Sequence, residues 1–319
     1  MELQRDHSKE FEAISKAYEK AGGDISGLLS KDIVSVIVSG NQIIGRNTVD
    51  GVEISADIKD NKVKLNFVMK DGVKLNKPIH MCVGYLKDFG EQLLDMNFEI
   101  GDNCNANFVS HCSFPAAKDI LHKMDAVLKI GKNSKVTYKD EHYHNEEGLV
   151  NLDASYFTTI GENSSFDNRF NLTKTRVGNL KILMDVEILK DAKCYIESKV
   201  KEKKDDKVEI KEIMRLTGEN SSGIAKTYVI AQDNSYGKVI NEAYGIGNNA
   251  SGHIECDEII VGDGVDLSTI PLLNVKNASA ELTHEASVGR INSDQLETLM
   301  SKGLDQEDAT ELIIKGMFS

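Results

Sequence analysis

The chain has 319 residues, enough for a substantial core and one or two domains. Hydrophobic residues make up 40% and charged residues 28%, which describes a globular chain. The net charge of −13 argues against nucleic acid or an anionic membrane as the main partner, because no basic surplus exists to neutralise phosphates.

The first residues, Met-Glu-Leu-Gln-Arg-Asp-His, lack an apolar leader, and nowhere do about 18 apolar residues run together. No membrane span is expected. The five cysteines are Cys82, Cys104, Cys112, Cys194 and Cys256. An odd count without an export signal predicts a reducing, cytoplasmic setting with free or metal-binding thiols. No Cys-x-x-Cys pair occurs, so a pre-built zinc or ferredoxin-type site is not expected.

Taken in order, residues 1–74 read as a helix followed by short strands. Phe11, Ile14 and Tyr18 share one helical face over residues 8–21, and Gly22-Gly23 is a stop signal. A second, short helical piece is predicted within 24–32. The β-branched run Ile33–Val38 and the alternating stretches 52–58 and 62–69 then read as strands, punctuated by Asp60-Asn61 and Asp71-Gly72.

From residue 75 to 289 a repeat governs the chain. A β-branched residue leads into a tight polar turn and then a small residue at Ile100, Ile130, Ile160, Ile230, Ile246, Val261 and Val275. The spacing is near 15 residues or its double. Each unit is too small to bury an apolar face alone, so neighbours must stack. The pattern favours a mainly β chain wound as a parallel β-helix, or solenoid, over the alternative of an antiparallel sandwich. One stretch departs from it. Cys194–Leu216 reads as a hairpin extending from the coil, with Lys203-Lys204-Asp205-Asp206 as its solvated tip. Residues 290–319 turn helical again. Asn292 with Gln295, and Asp305, are predicted caps, and Gly303 is a stop. This helical hairpin reads as a cap on the solenoid, as a docking surface, or as both.

Cys256 stands 28 residues before His284-Glu285. Thiol, imidazole and carboxylate are the residue types that bind iron or sulfur. In a strand His284 and Glu285 point to opposite faces, so only one faces a given site unless the chain bends. Weaker candidate ligands are His142 and His144, at i and i+2 on one strand face, and Cys104 and Cys112, which with His111 form a thiol-rich patch. A buried structural role is the ordinary alternative for each cysteine. The sequence lacks a P-loop, so the chain is not expected to bind ATP through one itself, and it carries neither a nucleophile elbow nor a convincing dinucleotide fingerprint.

The strings ECDEIIVG (255–262), AELTHEASVGRINSDQL (280–296) and SKGLDQEDATELIIKGMF (301–318) resemble the SufB/SufD family of iron–sulfur cluster assembly scaffolds, and SHCSFP (110–115) and YKDEHYH (138–144) resemble its short archaeal-type members. The resemblance implies a right-handed parallel β-helix with a C-terminal helical segment. It implies a scaffold rather than an enzyme, pairing through the ends of the β-helix, with a SufC-like ABC ATPase bound to the C-terminal helices and apo iron–sulfur proteins as acceptors. By that resemblance Cys256, Glu285 and His284 match the cluster-building residues that SufB and SufD divide between them, so a homodimer is implied. The ATPase would dock at Gln295, Leu296, Leu299, Gly303, Leu304, Ala309 and Leu312. The cofactor implied is a transient 4Fe–4S or 2Fe–2S cluster. The N-terminal part is shorter than in bacterial SufB, which leaves flavin doubtful. The rival functions are a carbohydrate-active β-helix enzyme and a structural SufD-like subunit without cluster chemistry.

Overall fold

The computed structural model describes residues 8–25, 30–291 and 293–317. Helix α1 (Ser8–Ala21) precedes two antiparallel hairpins, β1 (Ser35–Ser39) with β2 (Gln42–Asn47) and β3 (Val52–Lys59) with β4 (Lys62–Met69). There follow β5 (Ile79–Gly84), β6 (Phe89–Ile100), β7 (Asn105–Phe114), β8 (Asp119–Ile130), β9 (Lys135–His144), β10 (Leu149–Ile160), β11 (Ser165–Leu172) and β12 (Asn179–Ile188). The coil ends with β13 (Lys193–Glu202), β14 (Lys207–Leu216), β15 (Ser222–Gln232), β16 (Tyr236–Gly245), β17 (Ser251–Val261), β18 (Asp266–Val275) and β19 (Glu281–Arg290). Helices α2 (Ser293–Ser301) and α3 (Gln306–Met317) close the described chain.

Successive strands alternate between two sheets. One runs β2-β1-β5 and then through the odd strands to β19; the other runs β3-β4-β6 and then through the even strands to β18. Beyond the two hairpins every ladder is parallel, so the chain is a β-solenoid of about eight turns. One turn takes two strands and two corners, which explains why the sequence repeats at about 15 residues and at twice that. Ile100, Ile130 and Ile160 sit in register on adjacent strands. Asn103, Asn133 and Asn163 hold φ of 58°, 54° and 56° at the same corner, a conformation asparagine tolerates better than most residues. They also stack: Asn163 Nδ2 donates to Asn133 Oδ1 at 2.8 Å. The corner is tight enough to require glycine, since a Cβ on Gly161 would lie 2.5 Å from the Ile130 carbonyl oxygen.

Alternation decides the core. In β17 Gly252, Ile254, Cys256 and Glu258 are buried in the lumen while the residues between them are part-exposed, and their register partners on β15 and β13 are buried likewise. The early turns are filled by Phe67, Phe98, Phe108 and Tyr138, with ring centroids 5.2–6.3 Å apart. Each fully buried aromatic ring contributes about 1.5–3 kcal/mol of transfer free energy. Helix α1 lies outside the first sheet, packing Ile14 and Tyr18 against Ile37, Ile44 and Cys82. Tyr18 Oη is 2.7 Å from His80 Nδ1.

Two expectations are corrected. Cys194–Leu216 is not a hairpin: β13 and β14 belong to different sheets, and each pairs in parallel with its own neighbours. The charge run between them is a corner, and Asp206 in it is buried rather than solvated. Its carboxylate accepts from Arg176 Nε at 2.8 Å and from the amides of Val177, Gly178 and Lys203. Nor do α2 and α3 cap the coil. They pack on each other, α3 is tied to β13 by a Lys201–Glu311 ion pair, and the lumen face of the last turn stays open. Part of the second helical piece (26–29) and the Asn292 cap lie outside the described residues. The Asp305 cap is present, its carboxylate accepting from the Asp308 amide at 2.8 Å. Among the described residues no helix is long and apolar enough to cross a membrane.

Candidate functional site

Cys256 faces the lumen of β17, fully buried, with Thr227 beneath it and Ala286 above it in register. Its thiol is pushed up to about 12, chiefly by burial and with a smaller contribution from Glu212 and Glu258; the facing Thr269 hydroxyl works the other way. At neutral pH the thiol therefore keeps its proton in an isolated chain. Three carboxyl groups share this part of the lumen. Burial pushes Glu258 up to about 7 and Glu202 up to about 8, and neither finds a hydrogen-bond partner for its carboxyl oxygens. Burial likewise raises Glu212 to about 7, although Ser198 Oγ (2.6 Å), Thr227 Oγ1 (2.9 Å) and Asn241 Nδ2 (2.9 Å) all donate to it.

These acids were not singled out by residue type. Parity would have found one of them, because Glu258 is two residues beyond Cys256 and so shares its face. The same rule places the His-Glu pair. His284 stacks over Ile254 in the lumen column, with Nε2 unpartnered, while Glu285 stacks over Glu255 on the outside. The structure thus brings Cys256 and His284 to one face of the last turn and sets Glu285 on the other. Burial, then the neighbouring His253, lowers the His284 imidazole below its usual range and keeps it neutral, the form that binds metal.

The turn carrying these groups is unfinished. Leu273, Val275 and Val288 continue lumen columns, yet they are 39%, 52% and 48% exposed because no further turn covers them. Beside it, α2 and α3 form a groove of about 570 Å³ whose lining includes Gln295, Thr298, Leu299, Leu312 and Ile313. Of the predicted docking residues, Gln295, Leu299 and Leu312 line this groove. Leu296 and Leu304 are half-buried, Ala309 is buried, and Gly303 turns the chain with φ of 99°.

The weaker candidates separate. Cys104 sits in a corner with its Sγ 3.1 Å from the Lys70 carbonyl oxygen. Cys112 and His142 are register partners facing the lumen, and their ligand atoms lie with an Asp140 oxygen within 4.8 Å of one another. His144, two residues on, donates from Nδ1 to the Val177 carbonyl oxygen at 3.0 Å. All five cysteines are free and buried.

A family model described as SUF system FeS cluster assembly, SufBD core domain, matches residues 92–317. The chain is 45% identical over 317 residues to an iron–sulfur cluster assembly SufBD family protein of Pyrococcus horikoshii, covering 99% of this chain and 96% of the relative. It is 36% identical over 282 residues to one from Methanocaldococcus jannaschii, covering 88% and 89%. A stretch of 67 residues is 40% identical to the iron–sulfur cluster assembly protein SufB of Bacillus subtilis, covering 21% of this chain and 14% of that protein.

Proposed function

The chain belongs to the SufBD family of iron–sulfur cluster assembly proteins, and on that premise we propose that it is a scaffold whose two copies meet at the open end of the coil and build a cluster in the seam. The observation that carries this reading is the unfinished last turn. Its apolar lumen face is exposed, and Cys256 lies one strand behind it with His284 on the same face. A second copy laid end to end would continue both sheets or cover both lumens, burying Leu273, Val275 and Val288. Thiolate and imidazole from each copy would then converge as ligands for iron and sulfide, the cargo of the reaction. Glu285, on the outer face, would reach that seam only from its rim.

The residues of this chain suggest how the thiol is governed. Held protonated by burial, Cys256 is a poor ligand until its proton leaves. Glu258, raised to about 7, is suited to accept that proton near neutral pH. An ABC-type ATPase seated in the groove between α2 and α3 would move the helices against the coil. The Lys201–Glu311 tie offers a direct mechanical link from α3 to the strand two before β15, and so toward the Cys256 turn. Built clusters would pass to apo iron–sulfur proteins in the cytoplasm. Family membership weighs against the carbohydrate-active reading, and a thiol in the seam weighs against a purely structural subunit.

Cys256→Ala tests the assignment. The anaerobically purified complex of this variant is expected to lose bound iron and sulfide after reconstitution; wild-type content in the variant would remove the thiol from the mechanism. Ending the chain before residue 290 is expected to abolish co-purification with the ATPase while the β-sheet circular dichroism persists. Retained co-purification would place docking elsewhere than α2 and α3.

A further inference from the structure

Far from the open end, the lumen holds a second cluster of ligand-type side chains. Cys112 on β7 and His142 on β9 are stacked in register, and Asp140 precedes His142 on the same face of β9. Their ligand atoms lie within 4.8 Å of one another and all three residues are buried. His122 enters from β8 on the facing sheet, its ring centroid 6.2 Å from that of His142. Asp140 is four strand spacings from Cys256 along the sheet, roughly 19 Å at about 4.8 Å each.

The hydrogen bonding is incomplete for a purely structural polar cluster. Neither ring nitrogen of His122 has a partner, although His122 is wholly buried. The same holds for His142: its Nε2 lies 3.4 Å from an Asp140 oxygen, without hydrogen-bond geometry. The Cys112 thiol reaches Asp140 Oδ1 only at 3.8 Å. Tyr156 Oη donates to Asp140 Oδ2 at 3.0 Å and Ser110 also hydrogen-bonds the carboxylate; together they orient it as outer-sphere groups do at metal centres. Buried polar atoms are normally bonded, so both nitrogens of His122 and Nδ1 of His142, with His142 Nε2 held only by a long approach to Asp140, call for a shared partner.

We propose that Cys112, Asp140, His142 and His122 bind one divalent first-row transition ion, of zinc or ferrous type, inside the early turns of the coil. Thiolate with imidazole and carboxylate suits such an ion and not calcium or magnesium. Ligand atoms around a tetrahedral ion are spaced by roughly 3.3–3.8 Å, given metal–ligand bonds of about 2.0–2.3 Å. For Cys112, Asp140 and His142 the present spacing is within reach of small side-chain rotations, and His122 would join them by turning its ring toward the group from the facing sheet. On binding, the Cys112 thiol gives its proton to solvent and a sulfur–metal bond forms; no electron is transferred. The ion would brace the two sheets across the lumen by joining β8 to β7 and β9. This centre does not rest on the assembly mechanism proposed for Cys256.

The test uses the full chain expressed in cobalt-supplemented minimal medium and purified anaerobically, so that the ion enters as the coil folds. About one cobalt per chain is expected, with a thiolate-to-cobalt charge-transfer band in the near ultraviolet. Cys112→Ser is expected to lose that band, and His142→Gln to lower cobalt content at least about tenfold. Cys194→Ser, at a buried cysteine outside both sites, is expected to change neither. His122→Gln gives a reading that leaves the thiol in place: the d–d bands shift and cobalt content falls. A band that survives in Cys112→Ser, a band lost in Cys194→Ser, an unchanged spectrum in His122→Gln, or wild-type protein free of cobalt would each overturn the centre.

Discussion

At its N-terminal end the coil closes on two antiparallel hairpins whose edge strands, β2 and β3, carry Arg46, Glu53, Asp57 and Lys59, with α1 packed along the side. At its C-terminal end β18 and β19 present bare edges and a face of exposed aliphatic side chains. The lumens differ in step. The early turns hold aromatic rings and histidines, whereas the late turns hold Cys256 with the carboxyl groups of Glu202, Glu212 and Glu258. Charged, doubly hairpinned edges blunt further strand addition, and bare apolar edges invite it. The same register thus serves stability at one end and availability at the other, so a substitution should be judged by the end it strikes.

The largest effect belongs to the closed end. Phe108 is fully buried, with Phe67, Phe98 and Tyr138 around it. Phe108→Ala is expected to cost about 3–5 kcal/mol in urea unfolding, the transfer term plus the cavity left in a lumen that cannot collapse along its hydrogen-bonded axis. A cost below about 1 kcal/mol would mean the early turns are looser than their packing implies.

An intermediate effect, dependent on pH, belongs to the acids of the late turns. Glu202 rises from its ordinary 4.5 to about 8 because burial, Asp206 and Glu258 disfavour its charge. The folded chain therefore keeps a proton that the unfolded chain releases between pH 4.5 and 8. The stability this group contributes is full below pH 4.5 and falls as the pH rises to about 8. Glu202→Gln stays neutral throughout. Its advantage over the wild type should be absent at pH 4, grow through that window and level off above pH 8 at on the order of 1–3 kcal/mol. Thermal melts at pH 4 and pH 8.5 read it; an advantage equal at both would show that Glu202 ionises as freely in the folded chain as in the unfolded one.

Much of this arrangement was legible because a solenoid is periodic. Ile100, Ile130 and Ile160 marked the stacking, and the asparagines after them marked the corners, since few other residues accept those dihedrals. Parity also separated His284 from Glu285. What could not be read was the sheet to which a strand belongs. Cys194–Leu216 gives strand, turn and strand whether the second strand folds back on the first or crosses to the facing sheet; only the long-range parallel partners decide. The buried acids escaped for a related reason. Glu202 and Glu258 lie among alternating charges that resemble a solvated face, and their depth comes from the turns stacked over them. The amphipathic C-terminal helices announced that they dock on something, but not that they leave the end of the coil uncovered.

The smallest effect on folding falls at the open end, where it distinguishes availability from stability. Val288 continues the lumen column of Glu258 but is half exposed, so Val288→Glu removes little buried area within one chain. The expected change in monomer stability is under about 0.5 kcal/mol. Between two copies the same substitution sets a carboxylate against an apolar face and beside the buried acid behind it, where desolvation and like-charge repulsion act together. Light scattering should then report a single chain for the variant, against the two expected of the proposed wild-type assembly. A wild-type assembly that survives the substitution would move the seam away from this face, while a monomer that unfolds would show that Val288 already belongs to a finished core.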